Sequence, residues 1–167
     1  MARQTVEALA SAAQKKSGAA YARFDDALQR LEVVSIKARA RVEAMEKRGE
    51  VYFEEWAVEF SNTSNDRRVA QERFAELHGH FQAILKDTGQ VRQAFRPFLE
   101  GLRGLRTKLG QKPAFAAIET AKPDFAQLAS AGRRAEESME QLSKTLWTAE
   151  AAVMSGPLPS VESRGKP

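Results

Sequence analysis

Residues 74–109 read FAELHGHFQAILKDTGQVRQAFRPFLEGLRGLRTKL, and this stretch decides the fold. Apolar side chains recur at Phe74, Leu77, Phe81, Ile84, Val91, Phe95, Phe98, Leu102, Leu105 and Leu109, with Thr88 filling the remaining place. The steps alternate between four and three residues, the a/d spacing of a coiled coil. The same spacing precedes the stretch, through Phe24, Leu28, Leu31, Ser35, Ala38, Val42, Met45, Gly49, Tyr52 and Trp56. It also follows it, through Ile118, Ala121, Phe125, Leu128, Gly132, Ala135, Met139, Leu142, Leu146, Ala149 and Val153. None of these positions is charged, although 29% of the chain is. A sustained seven-residue repeat implies a left-handed supercoil.

The interruptions agree with the pattern. Ser61-Asn62-Thr63-Ser64-Asn65-Asp66 is a turn cluster in which Ser64 or Asn65 can cap the next helix. Gly110-Gln111-Lys112-Pro113 places glycine where a helix ends and proline where the next begins. Ser155-Gly156-Pro157 stops the third run. Short connections make successive helices antiparallel. The expected fold is therefore all-α, an elongated antiparallel three-helix bundle or coiled coil. Its helices span about 21–61, 66–109 and 114–154, within one domain over 21–154. Residues 1–20 read as a weakly structured or helical extension, and 155–167 as a disordered tail rich in Gly and Pro.

Pro97 predicts a kink in the second helix, because it removes a hydrogen bond to the carbonyl of Gln93. Pro123 predicts either a second kink or the true start of the third helix. Trp56, Phe74, Phe95, Phe98, Phe125 and Leu128 mark the core. Antiparallel pairing from the turns puts Leu28, Phe98 and Phe125 in one layer and Leu31, Phe95 and Leu128 in the next. Ser35, Val91 and Gly132 form a thin layer, and Trp56 approaches Phe74 and Ala149 or Val153. Apolar residues outside the frame, Val33, Ile36, Phe53, Val58, Phe60, Phe115 and Trp147, are expected at flanking positions that also bury. Several exposed in one stripe would instead mark a dimer or partner surface.

The 167-residue chain carries a net charge of +4 and is 43% hydrophobic, the composition of a globular chain. It has no cysteine, which excludes disulfides, zinc-thiolate sites and thiol catalysis. Met1-Ala2-Arg3-Gln4-Thr5 leads into no apolar run, so no signal peptide is expected in these residues. His78 and His80 stand two apart, point to different helix faces, and read as surface histidines rather than metal ligands. Glu50, Glu54, Glu55 and Glu59 around Trp56 read as a solvated face. No nucleophile elbow or phosphate loop is present, so no catalytic residue, metal or cofactor is expected.

One charged feature stands out. Arg103, Arg106, Lys108 and Lys112 follow one another without an acid. Antiparallel pairing brings Lys15, Lys16 and Arg23 to the same end of the bundle, diluted by Asp25, Asp26 and Asp124. This is a candidate patch for an anionic membrane surface or polymer. The aromatics sit in the core frame rather than among these cations, so nucleic acid is not an expected partner. Thr5–Phe24, with Lys15 and Lys16 on a polar side, reads as a frayed extension rather than a membrane-surface helix, because its apolar side is mostly alanine.

Phe53-Glu54-Glu55-Trp56 with Glu59, the Ser61-Asn62 turn, Arg67-Arg68, Pro97-Phe98-Leu99 and Ala117-Ile118 resemble a bacterial coiled-coil family known as domain of unknown function twenty-nine fifty-nine. The resemblance covers roughly Phe24–Val153 by heptad frame. It implies a bacterial source and a periplasmic or envelope location, with the cytoplasm as the alternative. It brings no established activity. The expected function is a non-enzymatic structural or interaction module that docks a protein partner or a second copy. The alternative is a peripheral binder of anionic membrane or polymer through the basic end. No small-molecule substrate is expected.

Overall fold

The computed structural model describes residues 18–60, 67–111 and 115–156. They form three helices, α1 (Gly18–Phe60), α2 (Arg67–Gln111) and α3 (Phe115–Met154), with no strand among the described residues. The protein is an all-α three-helix bundle. The turn cluster at 61–66, Lys112, Pro113 and the side chains of Phe60, Phe115, Ile118 and Ala121 lie outside the described residues, as do Lys15, Lys16 and most of the tail. Both prolines lie inside continuous helices. Pro123 is thus not the start of α3, because the chain is already helical from Phe115.

The chain divides into two compact units. The first takes α1 as far as Arg39, α2 from Gly89, and α3 as far as Glu140. Its core gathers Phe24, Leu28, Phe98, Leu102, Leu105 and Leu109 with Phe125, Leu128 and Ala131. Phe95 and Leu31 pack against it half-buried. Burying a side chain of this size contributes about 1.5–3 kcal/mol.

The layers in this unit differ from those expected. The ring of Phe98 lies over Gly132, 3.2 Å from where a Cβ on that glycine would stand. Leu128 lies over Gly101, 2.6 Å from the same point there. Phe98 was expected at the height of Phe125, and Leu128 at that of Phe95. Relative to α2, α3 is displaced by one heptad, about 10 Å at the rise of an α-helix. A seven-residue slip keeps every a and d position in the core, so the heptad pattern fits both registers equally. The choice is made by size: two glycines open the space that Phe98 and Leu128 fill. Gly132 therefore packs with Phe98, not in a thin layer with Val91.

The second unit takes Ala40–Thr88 and the chain from Gln141. Trp56, Leu77 and Ala152 form its buried centre, with Tyr52, Phe53 and Phe74 half-buried around them. Phe53 and Phe74 meet edge to face, as do Trp56 and Phe74, the latter with centroids 5.3 Å apart. The ring of Phe81 lies directly against Gly49. Aromatic pairs of this kind contribute about 0.5–1.5 kcal/mol beyond the area they bury.

Here the inner face of α3 also departs from expectation. Leu146 and Val153 were expected inside. Ala149 is buried as the frame expects, but Thr145 and Ala152 turn inward beside it, while Leu146 and Val153 remain 43% and 38% exposed. Two polar anchors account for this rotation. Asp87 of α2 is only 8% exposed, and Thr145 donates its hydroxyl to Asp87 Oδ2 at 2.6 Å. A buried carboxyl needs a donor, and the Thr145 hydroxyl supplies it. One turn before the end of α3, Arg73 of α2 donates to the carbonyls of Ala152 (2.6 Å) and Val153 (3.3 Å). That contact satisfies carbonyls the helix end leaves open and favours the negative end of the helix dipole.

Replacing Thr145→Val keeps the shape and leaves Asp87 without this donor. A loss of about 1–3 kcal/mol is expected from urea denaturation, whereas Thr145→Ser should lose well under half of that.

Candidate functional site

The sequence directs attention first to the cations of the first unit. Arg103 donates from Nε to Glu32 Oε1 at 2.6 Å. Arg106 Nε stands 2.6 Å from Asp25 Oδ1, too oblique to count as a hydrogen bond and still a close ion pair. Lys108 Nζ donates to Asp124 Oδ2 at 2.7 Å. Each of the three described cations of the α2 run therefore has an acid of its own, on α1 or α3. Arg23 is exposed on α1. The side chains of Lys15, Lys16 and Lys112 lie outside the described residues. Half-exposed pairs like these add little stability, about 0–1 kcal/mol each. Their effect on function is larger, because each carboxylate cancels the field of the cation beside it.

A shallow groove of about 220 Å³ runs between α2 and α3 in the same unit, where Gly101 and Gly104 leave room beside Leu105 and Leu128. Ligand pockets usually begin near 300 Å³. The polar groups at its edge include Lys108 and Asp124, which already satisfy each other. Among the described residues no group of three His, Asp or Glu side chains could hold a metal ion. No described helix is long and apolar enough to cross a membrane.

Among the described residues, the second unit holds a dense group of polar and aromatic side chains. His78, expected on the surface, stacks on Phe74 (centroids 5.4 Å, planes 15° apart) and meets Phe53 edge on. It is half-buried because its helix position faces the α1 rings, and Gln82 contacts its Nε2 at 3.3 Å. Phe53, outside the heptad frame, is the hub: it touches Tyr52, Trp56, Phe74, His78 and Phe81. Arg73 is held by Glu76 at 2.7 Å and by the end of α3, and its buried Nε has no hydrogen-bond partner. Burial raises the pKa of the Tyr52 phenol; Arg73 opposes this and Glu59 reinforces it.

What remains open is the outer face of α3 in the same unit. Trp147 is 73% exposed and Met154 82%. They lie seven residues apart on one face, with Leu146 and Val153 beside them at the same spacing. The expectation that Trp147 buries at a flanking position is overturned, and so are those for Val33, Ile36 and Val58, all more than half exposed. For Trp147 the reason is the rotation of α3: with Thr145, Ala149 and Ala152 inward, Leu146 and Val153 one position later, and Trp147 and Met154 two positions later, point away from the core.

Two outcomes test this description. Co-sedimentation with anionic vesicles at low salt should leave the protein in the supernatant, since Arg103, Arg106 and Lys108 are already paired; salt-sensitive binding would show that the pairs open. For Tyr52 the sign follows from its raised pKa. Above about pH 10 the unfolded chain loses the phenolic proton before the folded protein does, so stability is whole below that pH and falls as pH rises through it. Tyr52→Phe should lose less stability than the parent over the same alkaline range, measured by denaturation at matched pH. In comparisons with known proteins, the chain matches no family model, no curated protein and no solved structure.

Proposed function

We propose that this chain is a non-enzymatic helical interaction module that works by docking a partner onto the outer face of α3. The observation that carries this reading is the exposure of Trp147 with Leu146, Val153 and Met154, while the smaller Thr145, Ala149 and Ala152 face the core. A helix that stabilised its own bundle alone would gain more by turning the larger side chains inward. Tryptophan is also the residue most enriched where binding energy concentrates. The groups that could do chemistry are paired or packed: Asp87 with Thr145, Arg73 with Glu76 and the end of α3, His78 between two rings. The resemblance at Phe53–Trp56 and Pro97–Leu99 supports assigning the module to the bacterial envelope.

The alternative, an anionic-surface binder, loses support from the acids that face Arg103, Arg106 and Lys108.

A photo-crosslinking amino acid at position 147, installed in the native cells, tests the reading directly. Light-dependent protein adducts are expected at 147 and not at the exposed polar position 82. Equal or absent adducts at both positions would sink the proposal. In parallel, Trp147→Ala should leave the urea midpoint nearly unchanged, as expected for an exposed side chain outside the core.

A further inference from the structure

We propose that the groove between α2 and α3 in the first unit holds a single-chain aliphatic carboxylate, its headgroup on Arg134 and its chain over Gly101 and Gly104. This site lies apart from the outer face of α3 and does not rest on the docking reading.

Shape comes first. With Phe98 over Gly132 and Lys108 bonded to Asp124, Pro97 and Arg134 stand at one end of the groove, and Lys108 and Asp124 at the other. Eleven residues of α2 separate the ends, about 16 Å at the rise of an α-helix. Between them the two glycines lie beside the buried Leu105, Leu128 and Ala131. Leu128 takes the room above Gly101, but nothing stands within 4 Å of where a Cβ on Gly104 would be. Gly79 and Gly89 are equally open, so openness alone decides nothing; at Gly104 it belongs to the floor of a groove. Glycine inside a helix costs stability relative to alanine, and at Gly104 no close packing partner offsets that cost.

Volume sets the chain. The groove's 220 Å³ equals roughly seven water-sized groups at ~30 Å³ each, too little for a ringed, drug-sized ligand. It suits an unbranched chain of about that many carbons. A partner helix, about 10 Å across, is too wide to enter.

Charge sets the headgroup. Lys108 and Asp124 cancel each other at one end, 2.7 Å apart. At the other end Arg134 is exposed and has no ion pair among the described residues. The groove is thus apolar along its length and carries one uncompensated cation. A guanidinium receives a carboxylate through two parallel hydrogen bonds. An ammonium headgroup would meet Arg134 with like charge.

Octanoate, with seven carbons beyond its carboxyl, is the probe. It is titrated below its micellar range into the full nitrogen-labelled chain, and the backbone amide resonances are followed. Those of Gly101, Gly104, Leu128 and Ala131 should shift together and saturate, with a Kd on the order of 1 mM for a ligand of ten heavy atoms. Octylamine should give no saturating shift there. Arg134→Gln should weaken octanoate about tenfold and leave the urea midpoint in place. Gly104→Leu fills the groove and should abolish the shifts, with circular dichroism checking that the chain still folds. Should that variant fail to fold, Arg134→Gln alone decides. No saturating shift in the parent overturns the proposal. So does equal binding of octylamine, or a set of octanoate shifts centred on Trp147 that Arg134→Gln leaves unchanged.

Discussion

The hydrogen bond from Thr145 to Asp87 is the contact on which the rest of the second unit turns. A carboxyl as buried as that of Asp87 is costly without a donor, and the hydroxyl across the helix interface supplies it. Once Thr145 faces α2, helical geometry settles its neighbours. Ala149 and Ala152 follow it inward at steps of four and three, and Leu146, Trp147, Val153 and Met154 go outward. Arg73 fixes the same rotation at the end of the helix through the Ala152 carbonyl. The rotation exchanges some apolar burial for an exposed tryptophan ridge.

In the first unit the deciding constraint is different. Heptads alone permit several registers between antiparallel helices, each one heptad from the next. Gly101 and Gly132 break the tie, because the side chains of Leu128 and Phe98 occupy the space that these glycines leave open. Both units therefore combine a permissive repeat with a few residues that depart from it. In one, the departures are small residues facing large ones. In the other, they are a polar pair. Specificity in helical bundles commonly comes from such departures, at some cost in stability.

The fold class was legible in the amino-acid sequence because the a/d spacing persists through three long runs without a charge. The register was not, since the repeat cannot distinguish slips of its own length. The rotation of α3 was hidden for a similar reason. Leu146 and Val153 fit the frame better than Thr145 and Ala152 by hydropathy, and Asp87 lies outside the a/d frame. Seeing that Asp87 meets Thr145 requires the register first. Of the basic residues, Arg103, Arg106 and Lys108 were visible as a run of cations. Asp25 and Asp124 were legible as acids diluting that run, whereas Glu32, 71 residues from the Arg103 it pairs with, was not. Trp147 lies outside the frame, and an exposed stripe of such residues marks a partner surface. The sequence could not say on which side of the boundary it would fall.

The central claim is that α3 presents Trp147 outward while Trp56 is enclosed, and the two tryptophans of the chain make it directly measurable. The protein labelled with 5-fluorotryptophan, at dilution where it is monomeric, should give two fluorine resonances. A soluble paramagnetic agent should broaden the Trp147 resonance, assigned through Trp147→Phe, and spare that of Trp56. If both resonances are spared equally, α3 has turned its large side chains inward, and the account of its outer face is wrong.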